Sequence, residues 1–292
     1  MRFAAEIQGI FDRVVTRLGS VTGIEAIALG GSRARGTADR HSDIDLGIYY
    51  DSRKPFRLST LDRAARDLDD RNRPGLLTPL GAWGTGVDGG GWLQIGGRHV
   101  DFLYRDLVAV RRAIKDCRVG RISAAYQLGH PMGFHCQIYP GEIRCCVPLH
   151  DPRSRLRQLK RQVATYPAIF RRAMVTKHFF DATFELAIAV KPAERGDTSY
   201  VTGSLFHAAG FMTLVLYALN RQWLINEKGM LPASRGFRIR PRGFHSTIEG
   251  VMAEPGRTPR ALQRSVSRMR SLAIALRATA ARAGIVVNGF DL

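Results

Sequence analysis

Lysine is scarce in this chain: of 44 basic residues only 6 are lysines and 38 are arginines. Carboxylates are few as well, 25 against those 44, which leaves a formal charge of +19. Arginine forks phosphate better than lysine does, and this balance suits nucleic acid or an anionic membrane. Yet the arginines are spread along the chain without a dense run, which excludes a basic tail and is equally what an arginine-rich coding bias leaves. Cysteine is limited to Cys117, Cys136, Cys145 and Cys146. They have neither C-x-x-C spacing nor a matching histidine pair, which argues against zinc, and the adjacent Cys145 and Cys146 suit an ordinary disulfide poorly. Buried thiols in a reducing compartment are expected. Long apolar runs are also missing. Residues 205–219 are too short for a bilayer and include His207, so they predict a buried helix. Residues 1–18 read as an amphipathic helix with Phe3, Ile7, Ile10, Phe11, Val14 and Leu18 on one side, and Glu6 and Asp12 interrupt any signal-peptide core. No membrane partner and a cytoplasmic location are the expectations.

What the chain does have is concentrated in residues 29–50. The apolar run 24–29 reads as a buried strand ending at Gly30, Gly31 and Ser32, where glycines let backbone N–H groups approach an anion and the Ser32 hydroxyl adds a donor. Further on, Asp43-Ile44-Asp45-Leu46 alternates charge with apolar bulk. On a strand this puts Asp43 and Asp45 on one face and Ile44 and Leu46 in the core. Neighbouring carboxylates repel unless a cation joins them, and Mg2+ favours carboxylate and phosphate oxygens. A triphosphate on the glycine turn, its metal held by the aspartates, is the arrangement this spacing predicts.

The rest of the chain frames that stretch. Residues 58–70 predict a helix, 81–92 a glycine-rich loop carrying Trp83 and Trp92, and 92–104 a hairpin turning on Gly96-Gly97. The loop reads first as a connector and second as a lip with a tryptophan stacked on a base. A helix follows to about Asp116, then irregular chain with residues 143–147 as a last strand. Pro152 marks a boundary. Beyond it, residues 156–165, 168–190, 199–222 and 259–283 have helical spacing, the last with Thr258 as N-cap and Pro259 at its first position, while 229–256 read as a surface loop with Arg235, Arg238, Arg240 and Arg242. Pro192 should kink or end the helix before it. The fold class expected is α+β: a small mixed sheet with flanking helices in residues 1–151, followed by an α-helical bundle in 152–292.

Gly31-Ser32, ten intervening residues, then Asp43-Ile44-Asp45 resembles the signature of the DNA polymerase beta-like nucleotidyltransferase superfamily, which includes kanamycin and lincosamide nucleotidyltransferases. The resemblance implies a third carboxylate on a nearby strand, and His99-Val-Asp-Phe-Leu-Tyr104 supplies Asp101 in that context. It also implies a helical domain closing over the nucleotide, which would bring Lys191 or Arg195 onto the triphosphate. The expected chemistry is transfer of a nucleoside monophosphate from an NTP to an acceptor hydroxyl. Asp43, Asp45 and Asp101 are the expected catalytic and metal-binding residues for two Mg2+ ions, and Gly31, Ser32, Arg33, Arg35 and Lys191 the expected nucleotide-binding ones. A small molecule leads as acceptor, with RNA or a protein hydroxyl as runner-up. A non-catalytic nucleotide sensor is the reading from a different class.

Overall fold

The computed structural model describes residues 3–290. By internal contacts the chain divides into two compact units, Met1–Lys115 with Ser123–Thr165, and Asp116–Ile122 with Tyr166–Leu292.

The first unit contains α1 (Ala5–Leu18), β1 (Ile24–Leu29), α2 (Gly31–Arg35), β2 (Ile44–Tyr50), α3 (Leu58–Leu68), β3 (Gly90–Ile95), β4 (Arg98–Asp106) and most of α4 (Leu107–Arg118). After these come β5 (Ala124–Gln127), β6 (His130–His135), α5 (Ile138–Cys145), β7 (Val147–His150) and α6 (Arg155–Gln162). Five strands form one sheet in the order β3-β4-β2-β1-β7, with β2 and β4 parallel and the other neighbours antiparallel. Strands β5 and β6 make a separate hairpin.

Period-two alternation decides which face of the sheet is core. Ile44, Leu46 and Ile48 of β2 and Val100, Phe102 and Tyr104 of β4 are fully buried. They pack with Ile7, Ile10, Phe11 and Val14 of α1 and Leu61 and Ala65 of α3 in one apolar cluster. The residues between them on β2 and β4, Asp45 and Asp101 included, occupy the opposite face. Gly96 and Gly97 join β3 to β4 with φ of +59° and +71°, the left-handed pair that a primed two-residue turn requires. Their N–H groups donate to Oδ1 and Oδ2 of Asp70 at 2.9 and 2.8 Å.

Two local expectations change here. Gly31 and Ser32 open the short helix α2 instead of a plain turn. Ile143 lies inside α5, and the last strand of the sheet begins only at Val147. The expected boundary at Pro152 falls inside the first unit, where α6 packs against α5 and β1.

The second unit is helical: α7 (Ala168–Ile188), α8 (Val190–Arg195), α9 (Thr198–Leu219), α10 (Met230–Ala233), a 3-10 turn (Ser234–Gly236), α11 (Phe244–Ala253) and α12 (Pro259–Arg282). Thr258 caps α12 as expected, its Oγ1 accepting the Ala261 N–H at 3.3 Å, with Pro259 in the first turn. The break expected from Pro192 appears between α7 and α8, because Pro192 has no N–H to offer the carbonyl of Ile188. Helix α9 takes in the buried helix expected of residues 205–219 and ends three residues short of the expected 222. Its 22 residues are long and apolar enough to cross a bilayer, but 72% of its most apolar window is buried and it packs along α7, as a core helix does.

Residues 229–256 are not a plain surface loop. Helix α11 buries Phe244, Ile248 and Val251. Two of the four arginines there serve the chain itself: Arg235 pairs with Glu249, and Nη1 of Arg240 donates to the carbonyls of Arg235 and Phe237 at 2.5 and 2.7 Å.

Candidate active site

The parallel pairing of β2 with β4 sets Asp45 directly beside Asp101. Asp43 is exposed and lies just ahead of β2, so three carboxylates share the sheet face away from the apolar core. Their proximity registers electrostatically. Burial pushes the Asp101 carboxyl up to about 6, and the charges of Asp45 and then Asp43 add to the rise, with His99 opposing it.

Gly31 is shaped by Asp45. The Gly30 N–H donates to the Asp45 carbonyl at 2.8 Å, which ties the end of β1 to β2. Gly31 has φ of +59°, and a carbon added at its Cα would fall 1.7 Å from Oδ2 of Asp45. Any side chain there would evict the carboxylate, so the glycine is a steric requirement of the site as well as a conformational one.

The remaining expected residues are placed as follows. Ser32 follows Gly31 in α2, and its carbonyl accepts the Thr37 N–H at 3.0 Å. Arg33 faces the strand entry: Nε donates to the Asp43 carbonyl at 3.0 Å and Nη2 to the Ser42 carbonyl at 2.5 Å. It fixes the backbone that presents Asp43. Arg35 Nε donates back to the Gly31 carbonyl at 3.3 Å. Gly31, Ser32, Arg33, Arg35 and the three aspartates are thus brought together by the first unit, whereas Lys191 is an exposed residue of α8 in the second.

The donor set fits a hard divalent cation. Carboxylate oxygens crowded by like charge, one of them held against a glycine, gain from a cation that offsets their repulsion. Among the described residues no three His, Cys, Asp or Glu side chains form a ready-made metal cage.

Trp92, expected at the junction of the glycine-rich loop and the hairpin, borders the row of carboxylates. Counting outward from Gly96-Gly97, the two-residue turn pairs Ile95 with Arg98 and Trp92 with Asp101. That register was readable once the turn type was assigned, and it places an exposed indole next to the third carboxylate.

Comparison with protein-family models names one class for the stretch that holds these residues. Residues 8–119 match the family model of the nucleotidyltransferase domain, a stretch that holds α2, β2 and β4 entire. The match supports nucleotidyl transfer as the chemistry and an NTP as substrate. The chain is also similar to the crystal structure of a nucleotidyltransferase-like protein from Exiguobacterium sibiricum 255-15, at 10% identity, covering 95% of this chain and 78% of that one with a TM-score of 0.44. None of the curated proteins compared with the chain matches it.

Proposed function

We propose that the protein moves a nucleoside monophosphate from an NTP to an acceptor hydroxyl and releases pyrophosphate. The observation that carries this reading is the register of Asp45 against Asp101, with Asp43 alongside and Gly31 cleared for the Asp45 carboxylate. In this reading Gly31 and Ser32 receive the leaving phosphates, and Arg33 keeps Asp43 in place through its two backbone carbonyls. Asp43, Asp45 and Asp101 hold Mg2+, which when bound offsets phosphate charge and acidifies the attacking hydroxyl. Asp101, paired across the strands with Asp45, is the carboxylate this reading gives the proton that the acceptor hydroxyl loses. The acceptor on this reading is a small hydroxyl compound, neutral or anionic, because a polycation would have to bind against the field of a chain of charge +19.

The test is Mg2+-dependent pyrophosphate release from each NTP, with a hydroxyl-compound library and bulk tRNA in parallel, for wild type and Asp101→Asn. Release with a small compound that disappears in the variant is the expected result. Release with tRNA alone would replace the small-molecule acceptor by RNA. An NTP that binds but never yields pyrophosphate would make the protein a sensor.

A further inference from the structure

Trp92 is the outermost member of a row that crosses the sheet. Reading along that row, Gly30 is tied to Asp45, Asp45 is paired with Asp101, and Asp101 with Trp92. Cross-strand neighbours on one face stand about 5 Å apart at Cβ, so the indole adjoins the Asp101 carboxylate. Trp92 is 60% exposed, although burying an indole is worth several kcal/mol and large side chains are ordinarily put inside.

Its partner is held in place. The Trp83 ring stacks on Trp92 with centroids 4.9 Å apart and planes 26° from parallel. It also lies over Gly90, where an added carbon would meet its Cη2 at 3.2 Å. The loop bearing Trp83 is pinned from below: buried Gln127 donates from Nε2 to the Trp83 carbonyl at 2.6 Å and accepts the N–H groups of Gly86 and Val87 at 3.2 Å each. The Tyr139 hydroxyl donates to the Gly86 carbonyl at 2.9 Å. Gly86 admits no side chain, because an added carbon would fall 2.3 Å from the Phe134 ring. These contacts hold the glycine-rich loop where the Trp83 ring lies against Trp92.

We propose that the Trp83–Trp92 stack is the acceptor subsite, and that the acceptor carries its reacting hydroxyl on or beside a flat-faced ring that lies on the exposed indole. This rests on the transferase reading above, which sets the order along the row: phosphates at Gly31 and Ser32, carboxylates in the middle, and hence the acceptor at the far end. The ring class covers aromatic and nucleoside rings and the apolar face of a sugar.

The experiment measures binding apart from turnover. Calorimetric titrations with 4-nitrophenyl β-D-glucoside, adenosine and methyl β-D-glucoside are run in Mg2+, with and without a non-hydrolysable ATP analogue, for wild type, Trp92→Ala, Trp92→Phe and Asp101→Asn. Expected is binding of at least one ring compound that the analogue does not displace. It should weaken tenfold or more in Trp92→Ala, weaken less in Trp92→Phe, and survive in Asp101→Asn. Which of the three compounds binds identifies the kind of ring. Equal binding by wild type and Trp92→Ala, or no binding of any ring compound to wild type, overturns the proposal. Displacement by the ATP analogue also overturns it and gives the platform to the nucleobase. Because Asp101→Asn is expected to bind without turning over, loss of the transferase reading leaves a different signature: ring binding at Trp92 with no pyrophosphate from wild type.

Discussion

Asp69 and Asp101 are both carboxylates set against the β3–β4 hairpin, and the protein treats them in opposite ways. Asp69 is 2% exposed and fully provided for. Arg73 donates to it from Nη2 at 2.6 Å and Nε at 2.9 Å, the Gln94 N–H at 2.9 Å, and the N–H groups of Arg71 and Arg73 at 3.2 and 3.3 Å. The Arg73 guanidinium and those amides hold its carboxyl well below the usual range. Asp101 is partly buried beside two other carboxylates and is driven upward instead. One group spends its charge on the fold; the other keeps a charge the fold does not satisfy, at a cost in stability that is typical of sites built to bind.

The largest effect expected from this contrast is on turnover. Asp45→Asn or Asp101→Asn should reduce pyrophosphate release by about a thousandfold or more while leaving the fold intact by circular dichroism. Wild-type rates in both variants would end the catalytic half of the comparison. Gly31→Ala should cost about a hundredfold in turnover with little loss of stability beyond about 1–2 kcal/mol, because the added carbon displaces the Asp45 carboxylate and strains φ of +59°. If its kinetics match wild type, Asp45 does not need its observed position.

The stability half is sharpened by the other pair of variants. Asp69→Asn should destabilise the protein by about 2–3 kcal/mol in urea unfolding at pH 7, since the buried amide cannot accept all five hydrogen bonds and loses the charge that strengthens them. The sign follows from the depressed carboxyl: its contribution is complete above about pH 5 and drains away as pH falls toward the still lower folded-state value, so the gap between wild type and variant should narrow in acid. Asp101→Asn should do the reverse. A folded-state value raised to about 6 means that the ionised wild-type group loses stability as pH rises from about 4 through 6. The metal-free variant should then be more stable than wild type at pH 7.5 by about 1 kcal/mol, and the difference should vanish near pH 4. The smallest effect is on metal: Mg2+ affinity of wild type, followed calorimetrically, should climb by a few-fold as pH rises through about 6 and level off above it. A flat profile would mean that Asp101 is not a ligand.

Much of this was legible in the residues. The alternation of Asp43-Ile44-Asp45-Leu46 and of Val100-Asp101-Phe102 assigned a core face and a site face, because period two is a property of the strand itself. Gly96-Gly97 announced its primed turn, and Thr258-Pro259 announced a helix start, because turns and caps are settled within four residues. Where glycine and proline were dense the reading failed: residues 229–256 include α11, which is stabilised by burying Phe244, Ile248 and Val251 against the rest of its unit, and local propensity does not record that.

What the sequence by itself determined, then, is which residues face which way along each strand and where the chain turns. Only the tertiary structure decided which strands become neighbours. The parallel pairing that sets Asp45 beside Asp101 joins residues 56 positions apart, with α3 and β3 between them, and no local rule gives its register. The same holds for Trp83 stacked on Trp92 and for Gln127 pinning the loop from a separate hairpin. Such contacts are products of sheet order and packing, and the chemistry of the site is made of them.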